Sequence, residues 1–281
     1  MPESGSAIAQ RYAALQVPRG QVALWWLGQS GFAVRAGTTN LLLDPFLSPN
    51  PDRAAEAPIE ASACGWVDVV ACTHEHIDHF DEPTVRTIAQ VAPAARFVVP
   101  QPIVSKAVDL GIDPSRVIGT QPGESIDLGD VTIHPVPAHH GIHMSDAYTD
   151  GQSESNGLVR FLGYVVETGG TTIYHAGDTI VFDGLVDVLK PLHVDVALLP
   201  INGRSYFREK QDLVGNMGPD DAAELTRAIG ARTVIPMHYD AFPLNLGYPD
   251  LLIQIVRYRY TDLSVVVPSR TSPFLYGAAL T

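Results

Sequence analysis

Residues Thr73-His74-Glu75-His76-Ile77-Asp78-His79 place three histidines and an aspartate within six consecutive positions, directly after the apolar run Val67 to Cys72. The run reads as a buried strand, and a loop at a strand end can be held rigidly while solvent still reaches it. His74 and His76, two apart on extended chain, point to one side and can give one ion two imidazole nitrogens. Asp78 and His79, just beyond, can serve a second ion. Imidazole and carboxylate without thiolate is the donor set of a catalytic zinc, or of manganese or iron, and not of a closed structural zinc. The competing reading is a chance cluster of surface histidines, which the spacing at a strand end makes a rare coincidence.

This H-x-H-x-D-H pattern resembles the metal motif of the metallo-β-lactamase superfamily, and the resemblance extends downstream. Ala138-His139-His140 resembles the family's A-x-H position, which assigns the next ligand to His140, with His139 as the competitor. Gly177-Asp178 after a strand looks like the bridging carboxylate, which carries over to Asp178; Met237-His238 after another strand looks like the last ligand, which carries over to His238. Within the superfamily the chain looks most like the L-ascorbate-6-phosphate lactonase branch. That likeness runs from about Trp25 to about Asp240, through Leu110-Gly111-Ile112, Ile126 to Val131, Tyr174 to Asp178, Asp195 to Pro200 and Asn216-Met217. It breaks between His139 and Gly157, in a segment expected to border the substrate.

The resemblance implies a four-layer αββα sandwich holding two divalent metal ions, zinc or manganese, with iron also compatible. Two such ions bridged by Asp178 would hold a water and lower its pKa towards about 7, giving a hydroxide nucleophile at neutral pH. No G-x-S-x-G elbow or partnered cysteine offers another nucleophile. The expected reaction is therefore hydrolysis, of a lactone or related ester by the branch resemblance. A phosphodiesterase on a small or lipid substrate is the alternative, and a non-catalytic metal-binding protein of the same fold is the third reading. Asp78 reads as a ligand or as a proton shuttle to the leaving group.

Other residues carry open roles. Tyr239 either donates a hydrogen bond to a developing oxyanion or simply packs. Asn202, Arg204, Arg208 and Lys210 follow an apolar strand and can bind an anionic substrate group, or form a solvated charged loop. His143 is a substrate contact, an alternate ligand, or neither. His175 is expected to support the Asp178 loop, while Asp44 and Asp240 either hold ligand imidazoles through their second N–H or cap turns.

At 281 residues and 46% hydrophobic, the chain suits one large α/β domain spanning 1–281 or two pseudo-equivalent halves, with 1–20 as an N-terminal helical extension. A net charge of −13 without a basic stripe argues against nucleic-acid partners and leaves a small-molecule substrate. Cys64 and Cys72 have neither C-x-x-C nor knuckle spacing and read as buried thiols of a reduced compartment. Without a basic leader and apolar core, or a membrane-length apolar run, the expectation is a cytoplasmic protein with no membrane partner. A helix over 7–16 presents Ile8, Tyr12 and Leu15 on one face, for a homo-oligomer contact or for packing on the domain.

Short strands are predicted at Val22 to Leu27, Phe32 to Arg35 and Asn40 to Asp44. After the metal motif come a helix Glu82 to Val91, a strand Arg96 to Val99, a helix Ile103 to Leu110, a strand Arg116 to Ile118 and a hairpin Ile126 to Pro135. A second block repeats the mixture: strands Gly163 to Glu167 and Thr171 to Tyr174, then helices near Val181 to Leu189, Pro219 to Ile229 and Tyr248 to Tyr258 alternating with strands Val194 to Leu199, Thr233 to Pro236 and Leu263 to Val267. Two such blocks suit two stacked sheets with helices outside.

Overall fold

Val22, Leu24 and Trp26 alternate with Ala23, Trp25 and Leu27 along the strand Gln21–Gly28, and all six are buried. Both faces of this strand are covered. The first set joins a core between two sheets and the second packs beneath helices, which is why no polar alternation marks the strand in the sequence. The protein is described by a computed structural model over residues 5–141, 154–155, 157–211 and 215–277.

One seven-stranded sheet runs, edge to edge, Phe274–Gly277, Gln21–Gly28, Gly31–Ala36, Thr39–Leu43, Val69–Ala71, Arg96–Pro100 and Val117–Thr120. The other runs Ser264–Val265, Thr233–Met237, Val196–Pro200, Thr172–His175, Leu162–Thr168, Val131–Pro137 and Ile126–Asp127. Each sheet is antiparallel at one end and parallel at the other. Helices Glu82–Val91 and Val104–Asp109 bury Val85, Ile88 and Ala107 on the first sheet, whereas Pro219–Ala228 and Pro249–Arg259 bury Ala222, Ala223, Leu252 and Ile255 on the second. The result is the expected αββα sandwich. Tyr164 reaches from the second sheet to the first, its hydroxyl donating to the Cys72 carbonyl at 2.8 Å.

Differences from expectation have local causes. The first helix spans Gly5–Ala13, and its apolar face is used within the chain: the Tyr12 ring lies 5.2 Å from Trp25 and 4.9 Å from Trp66. The helix expected from Val181 begins only at Leu185, after Gly184 takes φ +95° in a left-handed turn. Phe274–Gly277 was not expected as a strand; it is a short edge element after Pro273 with too few residues to show a period. Both cysteines are free and buried. Among the described residues no helix is long and apolar enough to cross a membrane.

Every loop of the histidine-aspartate cluster leaves the C-terminal end of a strand. His74–His79 follow Val69–Ala71, His140 follows Val131–Pro137, Asp178 follows Thr172–His175 and His238 follows Thr233–Met237. Gly177 lets the chain turn tightly before Asp178: it has φ +59°, and a Cβ there would meet Leu162 O and Thr73 Cβ, each at 2.8 Å. Gly177→Ala should therefore destabilise the fold by about 2 kcal/mol or more, from overpacking and left-handed strain together. A denaturant midpoint indistinguishable from the parent would refute this account of the turn.

Candidate metal centre

The loop after Val69–Ala71 is anchored before any ligand is counted. Asp44, fully buried, accepts hydrogen bonds from the Thr73 amide and hydroxyl, both at 2.7 Å, and lies 2.7 Å from His79 Nδ1. With Nδ1–H donated to that carboxylate, His79 Nε2 is turned inward and stands 3.2 Å from Asp178 Oδ1. His74 sits with Nδ1 3.0 Å from the Thr73 hydroxyl and Nε2 3.0 Å from His76 Nδ1.

Asp178 is the meeting point. Its Oδ2 lies 3.2 Å from His140 Nε2 and 3.1 Å from His238 Nε2, and the latter is 3.3 Å from Asp78 Oδ2. Two groups of potential donors result: His74, His76, His140 and Asp178, and beside them Asp78, His79 and His238. His140 joins the cluster, whereas the His139 ring turns away and stacks 3.7 Å from Phe182.

The arrangement fits metal ions. A tetrahedral site with bonds near 2.0–2.1 Å has neighbouring ligand atoms about 3.3 Å apart, and the spacings here are 3.0–3.3 Å, with His79 Nε2 to Asp78 Oδ2 longer at 3.7 Å. Buried His79 Nε2 stands 3.2 Å from Asp178 Oδ1, and a cation could take over the role of the proton that this pairing favours on the ring. The electrostatics agree. Burial works against charge on His238, but Asp178 and Asp78 outweigh it and push its pKa up to about 9. Burial likewise opposes charge on His79, and Asp178, Asp78 and Asp44 overcome it to hold the ring well above the usual value. Asp178 is held well below the carboxylate range despite its burial by His238, His79 and His140. A cation would serve the same carboxylates that these protons serve.

Two supporting residues close the shell. The His175 Nε2–H donates to the Ser30 carbonyl at 2.8 Å, and its Nδ1 accepts from the Gly177 amide at 3.3 Å, fixing the Asp178 loop. Gln29 escaped the sequence reading. It is buried, with φ +52°, and its Nε2 lies 2.7 Å from Asp78 Oδ2 and 3.0 Å from His238 Nε2. Its carbonyl accepts from the His238 amide at 3.0 Å, and its amide donates to Asp240 at 3.2 Å. Nothing about a glutamine in a Gly-Gln-Ser-Gly turn distinguishes it from ordinary turn chemistry.

The cluster opens onto a cavity of about 710 Å³ that His76, Asp78, His140, Asp178 and His238 line. Arg53, Lys106 and the segment Phe242–Asn245 supply walls that the sequence did not reveal. The proposed substrate contacts fare unevenly. Arg204 and Lys210 are exposed and do not line the cavity; Lys210 lies over the Tyr206 ring instead. Arg208 turns inward, donating to the carbonyls of Asn202 and Leu246. Asn202 is buried behind the wall and donates to Asn245 at 2.8 Å. Tyr239 stacks on Trp26 at 5.0 Å and does not reach the cavity lining. Asp240 holds Gln29 and pairs with Arg270 rather than with a ligand imidazole. His143 lies outside the described residues.

Comparison with known proteins places this geometry in a family. Residues 39–239 match the model of the beta-lactamase superfamily domain. A metal-dependent hydrolase of the UPF0173 family from Myxococcus xanthus is 33% identical over 280 residues, covering 95% of this chain and 92% of that protein. Among solved structures, the metallo hydrolase Igni18 from Ignicoccus hospitalis superposes with a TM-score of 0.72 at 24% identity, covering 92% of this chain and 99% of that one. An isothiocyanate hydrolase from Delia radicum gut bacteria superposes with a TM-score of 0.71 at 18% identity, covering 92% and 100%, a likeness of fold alone. With the His/Asp cluster able to hold metal at its strand ends, the chain belongs to the UPF0173 metal-dependent hydrolase family of the metallo-β-lactamase superfamily.

Proposed function

We propose that this metal-dependent hydrolase works with two divalent ions and cleaves a small ester or lactone. The observation that carries the reading is the convergence of both donor groups on Asp178 at the floor of a single cavity. His74, His76 and His140 would hold one ion, Asp78, His79 and His238 the other, with Asp178 between them. Ions so held would polarise the scissile carbonyl and make an attacking water acidic enough to react at neutral pH.

The chain's own residues divide the remaining work. Asp44 and His175 hold the ligand loops in register from outside the cluster. Gln29 donates to Asp78 Oδ2 and so fixes which way that carboxylate faces. Asp78 also lines the cavity, which puts it in reach of the proton that the leaving oxygen must receive. The resemblance to ascorbate-6-phosphate lactonase supports an ester electrophile, but the phosphate half of that analogy loses its contacts, since Arg204 and Lys210 stand away from the cavity. The cations that do line it are partly engaged: Arg53 donates through Nε and Nη1 to the carbonyls of Ala55 and Phe46, with its Nη2 left without a hydrogen bond, and Lys106 pairs with Glu82 at 3.4 Å. Asp52 and Glu75 line the same walls, Glu75 being itself paired with Arg160. The ester reading therefore rests on the branch resemblance, and a phosphodiester remains the alternative.

Chelation should abolish lactone hydrolysis, and re-addition of zinc or manganese should restore it with two ions per chain by elemental analysis. Because His238 holds its proton up to about pH 9 in metal-free protein, binding must release protons and tighten as pH rises towards that value. Calorimetric titration in buffers of different ionisation enthalpy measures this; no proton release at pH 7 would contradict it.

His140→Ala should lose one ion and most of the activity, whereas His139→Ala should keep both ions. The reverse result would move the ligand by one residue. Gln29→Leu should weaken the Asp78–His79–His238 ion by about tenfold to hundredfold, the usual cost of losing a residue that orients a ligand, and leave the other ion's affinity near the parent's. Equal loss at both sites would show that Gln29 only supports the fold.

A further inference from the structure

Ile77 sits between His76 and Asp78 and is 64% exposed; Leu244, from a separate segment, is 71% exposed. Single exposed apolar residues need no explanation. These two face one cavity, joined there by Pro51, Phe242 and Pro243, directly above the metal cluster. Neither side chain gains from burial within the fold, and both stand on fixed backbone. His76 O accepts from the His79 and Phe80 amides at 3.0 and 2.8 Å around Ile77. The turn bearing Leu244 is pinned by Asn202 to Asn245 at 2.8 Å, by Arg208 to the Leu246 carbonyl at 2.7 Å, and by Phe242 stacked 6.0 Å from Phe46.

A preformed apolar strip of this kind, on walls that also carry Asp52, Arg53, Glu75 and Lys106 and above a floor of histidines and aspartates, is what orients an amphiphilic ligand. About 710 Å³ also falls in the range of sites that enclose small organic molecules. We infer that the substrate carries an alkyl or aryl arm laid against Ile77, Phe242 and Leu244 while its hydrolysable group reaches the cluster. This rests on the metal-dependent reading above, and it adds the class of compound: acyl or aryl esters and lactones rather than sugar lactones. Ile77 and Leu244 are then specificity-determining residues, acting on KM more than on kcat, because an arm contact is made equally before and during bond cleavage.

The test uses n-alkyl hydroxamates from acetohydroxamate to octanohydroxamate, whose head group chelates metal while the arm varies, titrated calorimetrically into metal-loaded protein. Dissociation constants should fall by about twofold to fourfold per added methylene, the upper figure corresponding to about 0.8 kcal/mol for a fully buried CH₂. Leu244→Ser and Ile77→Ser, each checked for unchanged metal content, should flatten that dependence. Leu244 is remote enough from the ligands to keep the test valid if Ile77→Ser disturbs the metal loop. Flat binding in the parent protein, no binding at any length, or an undiminished slope in Leu244→Ser overturns the inference. So does a drop in solution mass on Leu244→Ser, which would show a second copy covering the wall. Hydrolysis of γ-nonalactone, which carries a pentyl arm, is measured in parallel: its absence with a steep hydroxamate slope removes the ester reading and leaves the arm site standing.

Discussion

The hydrogen bonds accepted by Asp44 are the constraint on which the site depends. A carboxylate without solvent contact is costly unless its oxygens are satisfied. Here they are satisfied by the Thr73 amide and hydroxyl and by the His79 ring. The strand Thr39–Leu43 is thereby stitched to the loop following its parallel neighbour Val69–Ala71, and the His79 ring is given one tautomer and one orientation. Asp44 itself adopts φ +42°, a conformation that a non-glycine residue rarely takes and that tends to persist where the surroundings over-determine it. Gln29 and His238, also at positive φ, lie on the other side of the same cluster and hydrogen-bond each other through the backbone.

The candidate donors could be picked out because each belongs to a short-range pattern: an apolar strand followed closely by histidine or aspartate. His140 and His139 are adjacent, and only the A-x-H spacing separated them; in the structure one ring meets Asp178 and the other meets Phe182. The cavity walls were not legible. Asn50–Arg53, Lys106 and Phe242–Asn245 are far apart in the chain and meet only through tertiary packing. The loop 202–210 looked cationic because its arginines and lysine follow a buried strand. In three dimensions carbonyls at the end of that strand need donors, and Arg208 supplies them. Charge counted along a sequence says nothing about which way a guanidinium turns.

The same sandwich, at identities too low to carry function, is the fold of an isothiocyanate hydrolase as well as of other metallo hydrolases. Fold and donor set set the kind of chemistry; the walls set the compound. In this chain those walls pair an apolar rim with Arg53 and Lys106, held in place by the Phe46 and Ala55 carbonyls and by Glu82. The discrimination between substrates therefore resides in segments that the superfamily pattern leaves unspecified.

The donors come from opposite halves of the sandwich: His74, His76, Asp78 and His79 from the first sheet, His140, Asp178 and His238 from the second. Neither half holds a complete set. An ion held by the full set would recognise the docked pair of sheets better than either half, so the difference in its binding energy would favour their association. At free metal one hundred times the dissociation constant, such linkage is worth about 2.7 kcal/mol per ion. Metal held there would act as a clasp across the sheet interface, so that its loss would cost stability as well as activity.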